Sequence, residues 1–418
     1  MRIRRFRKRT AAVAVLLVVL LTALMGVTAI AIDGGMEQDN LERVQAAADA
    51  AALAAVIDLY QHYSSNGGAD TGGTAASSAT GTASTNGFDS TNSTVTVNLY
   101  PNNAQMSSLI GVGTQVPKGY AEVIITYNQP RYFGRIWGSA TIPITAYAVA
   151  RTQWKRTDFG IIALNPTVSG SVTTNGNGDV KVTGASIIVD SNNTYAVTVN
   201  GHSLVSDSGN GSVLITGSNP GYSGTVSGQI LTGQVPTPDP FAYLPVPDPS
   251  TMTTQTTASV VNGTITLQPG YYPNGISTST NAAVVMQPGI YYINGGINYS
   301  GNGSLTANGV MIYATGTVSV TGNATVTMSP MTSGPYYGMT FFQARNATGG
   351  ITVAGNGSYN VSGSVYSAGG AVTVSGNGDV SLSGQIVANT LTFNGNGAMN
   401  VVWNGGPTAR TREITLVE

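Results

Sequence analysis

Ala371-Val372-Thr373-Val374-Ser375-Gly376-Asn377-Gly378-Asp379-Val380-Ser381-Leu382-Ser383-Gly384-Gln385-Ile386-Val387-Ala388-Asn389-Thr390-Leu391-Thr392-Phe393-Asn394-Gly395-Asn396-Gly397 decides how the larger part of this chain folds. Val372, Val374, Val380, Leu382, Ile386, Val387, Leu391 and Phe393 supply an apolar side chain at about every second position, the period of a strand with one buried face. Gly-Asn-Gly marks each corner, where glycine permits positive φ. The same triplet stands at Gly176, Gly209, Gly301 and Gly355, with steps of 21 and 19 residues across the last three triplets. Gln268-Pro269-Gly270-Tyr271-Tyr272 returns as Gln287-Pro288-Gly289-Ile290-Tyr291 after 19. A period near 20 with strand-like alternation predicts a stacked solenoid, a right-handed parallel β-helix over 160–409 with a proline-rich hinge near 235–250. Asparagines at equivalent corners are expected to form a ladder from rung to rung. Roughly a dozen rungs at about 4.8 Å would make a rod about 55–60 Å long. A β-propeller or sandwich also accommodates periodic short strands, whereas the Leu-x-x-Leu-x-Leu pattern of leucine-rich repeats is missing.

The low charge of the repeats agrees with the whole: 8% of the 418 residues are charged, 54 are glycine and none is cysteine. Without cysteine there is no disulfide framework, thiolate zinc site or thiol nucleophile. A formal net charge of −1 offers no basic face for phosphates, so no nucleic acid is expected as a partner. Six of the 17 basic residues fall in the first nine positions, Arg2, Arg4, Arg5, Arg7, Lys8 and Arg9, leaving eleven against 18 acidic residues thereafter. Ala11 to Ile32 then runs uncharged, and at about 1.5 Å per residue a helix of this length reaches across a bilayer core.

Residues 1–32 are therefore expected to be a basic head and a transmembrane anchor in contact with membrane lipid, the head cytoplasmic and the remainder exported. Ala29-Ile30-Ala31 fits the competing reading of a cleavable signal peptide, but the apolar run is longer than the usual h-region of about 7–15 residues. Residues 33–159 read as an amphipathic stem helix followed by a small α+β module. Leu41, Val44, Ala48, Ala51, Ala55 and Leu59 recur at helical spacing, with Glu37, Asp39, Glu42 and Arg43 on the wet side. Ser64 to Ser93 loses periodicity in Gly, Ser, Thr, Ala and Asn, which predicts a loop or hinge. Strands are expected over 94–99, 121–126 and 140–150, with an aromatic turn including Tyr132-Phe133 and Ile136-Trp137 before the last. Residues 410–418, rich in charge, read as a cap or a free tail.

The run ending Ile32-Asp33-Gly34-Gly35 and the block Leu41-Glu42-Arg43-Val44-Gln45-Ala46-Ala47-Ala48-Asp49-Ala50-Ala51-Ala52-Leu53-Ala54-Ala55 resemble the N-terminal module of TadG-like proteins of the tight-adherence (Flp) pilus assembly system. Ala121 to Ala150, Ile161-Ile162-Ala163-Leu164-Asn165-Pro166 and Asp239-Pro240-Phe241-Ala242-Tyr243-Leu244-Pro245-Val246-Pro247 are similar too. Two features depart from that pattern: Thr10 stands where the family usually has glycine, and there is no Asp-x-Ser-x-Ser loop of a von Willebrand A module. The resemblance implies a membrane-anchored, exported, non-enzymatic structural protein that assembles or anchors surface fibres for adhesion, in the inner membrane with its bulk periplasmic or extracellular. Its partners would be other pilus-assembly or filament proteins, with self-association or a surface polysaccharide as further possibilities. A carbohydrate-binding or polysaccharide-degrading β-helix on a membrane stalk, and a polymerising pilin-like subunit displaying the rod, are the alternatives.

Ionisable residues are too sparse to suggest an active site. Between Gly160 and Ala409 the charged residues are Asp179, Lys181, Asp190, Asp207, Asp239, Asp248, Arg345 and Asp379. Asp179 and Asp379 each follow a Gly-Asn-Gly corner rather than sharing a cleft, so the paired carboxylates of a glycosidase are not expected. His62 and His202 stand alone, so neither a metal nor a cofactor is anticipated. Tyr271, Tyr272, Tyr291, Tyr292, Tyr299 and Tyr313 recur near the rung spacing and are the candidate ligand-contact face, where rings would stack on sugars or on another protein.

Overall fold

The computed structural model describes residues 7–62, 66–100, 116–133, 135, 138–156, 159–206, 211–218, 220–242, 244–256, 258–260, 262–279, 281–403 and 406–417. Arg2, Arg4, Arg5, Ile136, Trp137, Asp207, Gly209, Asn210 and the side chain of His202, all singled out above, lie outside them. The chain is mainly β with one long helix, and divides into two compact units, Met1–Trp154 with Arg412–Glu418, and Lys155–Thr411.

In the first unit the apolar run and the amphipathic run form one uninterrupted helix, α1 (Arg7–Gln61). Its two halves differ in burial. From Val13 to Ile32 the large apolar side chains are 40–77% exposed, whereas Val44, Ala48, Ala51, Ala55 and Leu59 are buried. Leu41, expected on the apolar stripe, is exposed. The predicted loop after α1 instead contains a helix, α2 (Thr74–Thr85). Ala75, Ala79 and Ala83, four residues apart, are fully buried against α1, a stripe narrow enough for close helix packing. The Asp70 carboxylate accepts hydrogen bonds from the N–H groups of Ala75 and Ala76 and so closes the N-terminus of α2.

Strands β1 (Ser93–Leu99), β2 (Tyr120–Pro130) and β3 (Thr141–Arg156) pair antiparallel in sequence order. Val123, Ile125, Ile144, Ala146 and Ala148 meet the buried stripe of α1 in one core. The segment expected as a cap or tail is a fourth strand of this sheet, Arg410–Leu416, beside β3. Ile414 packs against the core, which gives an otherwise charged segment its reason to pair.

The second unit holds one large, wholly parallel sheet whose pairings fall into three tracks of ten levels each. Track A runs through Ala258, Ile276, Ile297, Val318, Ile351, Val372, Leu391, Val172, Val197 and Tyr222. Track B runs from Thr264–Leu267 to Thr225–Ser227, and track C from Gly270–Tyr272 to Gln229–Thr232. Inward residues alternate with half-exposed ones, as in Val372, Thr373 and Val374. Each fully buried Val, Leu, Ile or Phe contributes about 1.5–3 kcal/mol.

The levels are not in chain order. Residues 258–402 fill the first seven levels of tracks A and B, ending in Met399–Val402, and the first six of track C; the next strand on track C is Phe159–Ala163, beside Ile386–Ala388, and the chain continues from there to Thr232. The N-terminal strands of this unit thus take over where its C-terminal strands stop. The corner asparagines link successive levels as expected. Asn396 Nδ2 donates to Asn377 Oδ1 at 2.8 Å, and the N–H groups of Asn377, Asn356 and Asn323 donate to the side-chain oxygens of Asn356, Asn323 and Asn302.

Candidate functional site

A strand turns successive side chains to opposite faces, so the two Tyr-Tyr pairs are split between inside and outside. Tyr272, Tyr291 and Tyr299 point inward and are buried. The rings of Tyr272 and Tyr291 stack at 5.9 Å, and their hydroxyls donate to the carbonyls of Gln268 and of Leu267 and Gln287. The Tyr299 hydroxyl donates to Ala282 O at 3.0 Å. Burial raises the pKa of all three phenols, which remain neutral donors. They are core residues and correct the expected ligand face.

Tyr271, Tyr292 and Tyr313 are in register on the outside of track C, followed by Phe342 and Tyr366. Neighbouring ring centroids in this column lie 5.5, 4.9, 5.0 and 5.2 Å apart. Tyr271 and Tyr292 are half-exposed, whereas Tyr313, Phe342 and Tyr366 are buried under the chain itself. The proline-rich segment expected as a hinge is a strap that packs Phe241 and Leu244 against Tyr313, Phe342, Tyr366 and Met311. Phe241 meets Tyr366 edge-on at 5.6 Å, and Tyr313 is only 4% exposed. Proline-rich backbone on an aromatic groove is a recurrent recognition mode, used here within one chain.

Arg345 fastens the strap. Its Nη2 donates to the carbonyls of Phe241 (2.6 Å) and Leu244 (2.7 Å), and its Nε to the Tyr366 hydroxyl (3.1 Å). The guanidinium lies 5.1 Å from the Phe342 ring centroid. Tyr366 in turn donates to Asp239 Oδ2 at 2.6 Å, and Tyr336 donates to Pro245 O at 3.0 Å. Nothing in the sequence joined Asp239 to Arg345; the aromatic at each of the first five levels of track C was the available signal.

The other charges serve the backbone. Asp379 accepts from Ala398 N, Asp248 from Ser250 N, and Asp190 from Thr237 N at the start of the strap, each at 2.9 Å. Asp179 and Lys181 are exposed, and His62 lies beside Asp58 on α1. Among the described residues no three His, Asp or Glu side chains gather where a metal ion could be held.

Asp190 is nearly fully buried, and burial raises its pKa against the opposing effect of the Thr237 N–H. A raised native pKa means the folded state holds the proton more tightly. Its favourable contribution is present below the ordinary carboxylate value and is lost as pH rises through the native one. Asp190→Asn keeps an oxygen for Thr237 and removes the charge. It is expected to raise Tm at pH 7 by about 1–3 °C, with the gain disappearing in melts at pH 3.5.

No family model matches this chain, and no curated protein or solved structure matches it.

Proposed function

We propose that the chain is a membrane-anchored, exported structural protein whose second unit is a right-handed parallel β-helix, the three tracks being its faces. The observation that carries the anchor is the change of burial within α1. One continuous helix is long and apolar enough to cross a membrane, with a window of mean hydropathy 2.8; its large apolar side chains are exposed from Val13 to Ile32, whereas from Val44 a stripe including Ala48, Ala51, Ala55 and Leu59 is buried. Water does not tolerate such a stripe, whereas a bilayer removes it from water at no cost in hydrogen bonds, since helical N–H and C=O groups are paired internally.

Three in-register tracks, a step near 20 residues and asparagine corners support the β-helix. The spending of Asp190, Asp239, Asp248 and Asp379 on backbone N–H groups supports a scaffold without catalysis. The likeness of 33–55 and 121–150 to TadG-like proteins supports a place in Flp pilus assembly, surface-fibre anchoring or adhesion. The basic head favours an N-terminus in the cytoplasm and a periplasmic or extracellular bulk.

The test is fractionation with N-terminal sequencing. The chain is expected in the membrane pellet after alkaline carbonate washing, with its arginine-rich head intact and its β-rich part cut by protease added to spheroplasts. Leu20→Arg with Leu24→Arg is expected to shift most of it out of the pellet. A soluble species starting after Ala31 would overturn the anchor.

A further inference from the structure

We propose that the turn carrying Arg131, Tyr132, Phe133 and Arg135 is a second membrane contact, seated in the phospholipid headgroup layer where α1 leaves the bilayer. This rests on the anchor proposed above and adds to it a lipid-binding element that lies 100 residues further along the chain.

The turn is held against α1 at a defined height. The Asp33 carboxylate accepts hydrogen bonds from the N–H groups of Tyr132 and Phe133, each at 3.3 Å. Arg131 N donates to Ala140 O at 2.9 Å, which closes the base of the turn. Asp33 is the first residue after the uncharged run, and α1 passes through it without a break. Ala29, four residues earlier on the same face, is only 5% exposed, although the large apolar side chains around it are open. This face of α1 is therefore already covered one turn inside the apolar run.

The run Ala11 to Ile32 makes about 33 Å of helix, and the hydrocarbon core of a bilayer is about 30 Å thick. With the run in the core, Asp33 stands at its edge, and the headgroup layer of about 5–8 Å lies at the height of Tyr132 and Phe133. Both rings are open, Tyr132 at 64% and Phe133 at 38% exposure. Aromatic side chains are favoured at that depth, where the ring leaves water and a hydroxyl stays hydrated. Arg131 is half-exposed and Arg135 exposed beside them. Their guanidinium forks match phosphate oxygens, and their stems lie on apolar surface. A carboxylate at the edge of a bilayer is costly unless it is hydrogen-bonded, and the two N–H groups give Asp33 that compensation.

Continuity decides the occupant. The exposed rings follow directly on the exposed apolar side chains of α1 that end at Ile32, so the medium that covers those side chains also reaches the turn. Two contacts on one unbroken helix then fix the depth at which the first unit sits.

The chain has no cysteine, so a single introduced cysteine carries a fluorophore at a unique position. The full chain is reconstituted in vesicles of phosphatidylethanolamine and phosphatidylglycerol containing lipid with a nitroxide on the headgroup or at mid-chain. Leu20→Cys is expected to be quenched by the mid-chain nitroxide. Ser139→Cys, exposed in the same turn, is expected to be quenched by the headgroup nitroxide about twofold or more above Ser84→Cys, exposed on α2. Adding Tyr132→Ser with Phe133→Ser should bring Ser139→Cys down to the level of Ser84→Cys, whereas Tyr132→Trp should preserve its quenching. Quenching at Leu20→Cys with Ser139→Cys no higher than Ser84→Cys overturns the proposal and leaves the anchor standing. Loss of quenching at Leu20→Cys overturns both. Quenching at Ser139→Cys that survives the two serines overturns the role of the rings. Shielding of Ser139→Cys from the headgroup nitroxide and from aqueous iodide alike puts a protein on the turn and overturns the lipid contact.

Discussion

Gly376→Ala is expected to destabilise the second unit by about 3–5 kcal/mol. Gly376 has φ of 127°, a region that side-chain-bearing residues rarely enter. The added Cβ would also stand 2.0 Å from Gly355 O in the level below. The obstacle is backbone, and that backbone is fixed by its own pairing, so no side chain can swing away. Asn377, the next residue, donates its N–H to Asn356 and accepts from Asn396, so a displaced corner breaks the asparagine ladder in both directions. Gly81→Ala in α2 is the control. A Cβ there meets nothing within 4 Å, and helix propensity predicts a gain of about 0.5–1 kcal/mol. Thermal melts of the full chain followed by circular dichroism measure both. A Gly376→Ala midpoint within about 2 °C of the parent would show that these corners do not need glycine.

The same close approach explains why the repeat was legible. A level can turn three corners in about 20 residues only with small residues where backbones meet, so Gly-Asn-Gly and alternating Val and Thr mark the strands and their faces directly. What stayed hidden depends on partners distant in sequence. Ala75, Ala79 and Ala83 are a helical stripe, but in a segment of Gly, Ser and Thr that is weak until α1 supplies the opposing surface. Strand Arg410–Leu416 carries too few apolar residues to announce itself. Level order is invisible because Phe159–Ala163 fits the place after Val402 by the same rule that would fit any other level. The six tyrosines were read by their spacing and not by the alternation that separates Tyr271 from Tyr272. That alternation leaves Tyr272, Tyr291 and Tyr299 as core and Tyr271, Tyr292 and Tyr313 outside, with Tyr313 in the seat of the strap.

Arg345→Ala is expected to release that strap. The chain leaves the last level at Thr232 and must return along the outside to Thr253, which pairs beside Tyr271 at the opposite end. Beyond Gln234, whose N–H donates to Ile215 O, none of the described residues up to Met252 belongs to a strand, so side-chain contacts carry much of their course. Arg345 supplies the largest set, reaching two strap carbonyls and the hydroxyl of Tyr366. Bonds from a charged donor contribute about 1.5–3 kcal/mol each, and Arg345 is only half-buried, so a total loss of about 2–4 kcal/mol is expected. Arg345→Lys should recover little of it, because an ammonium does not reproduce a planar fork that bridges three acceptors. Tyr366→Phe removes only the hydroxyl between Arg345 and Asp239 and should cost about 1 kcal/mol. With the strap loose, Tyr313, Phe342 and Tyr366 become accessible, so dye binding to exposed apolar surface should rise with the rate of proteolysis at 233–252. The tracks themselves should persist, because no strand pair involves Arg345. Limited proteolysis with mass spectrometry, alongside circular dichroism, reads both. A strap as resistant in Arg345→Ala as in the parent would mean that Phe241 and the prolines hold it unaided, and that the guanidinium is a passenger in the aromatic column.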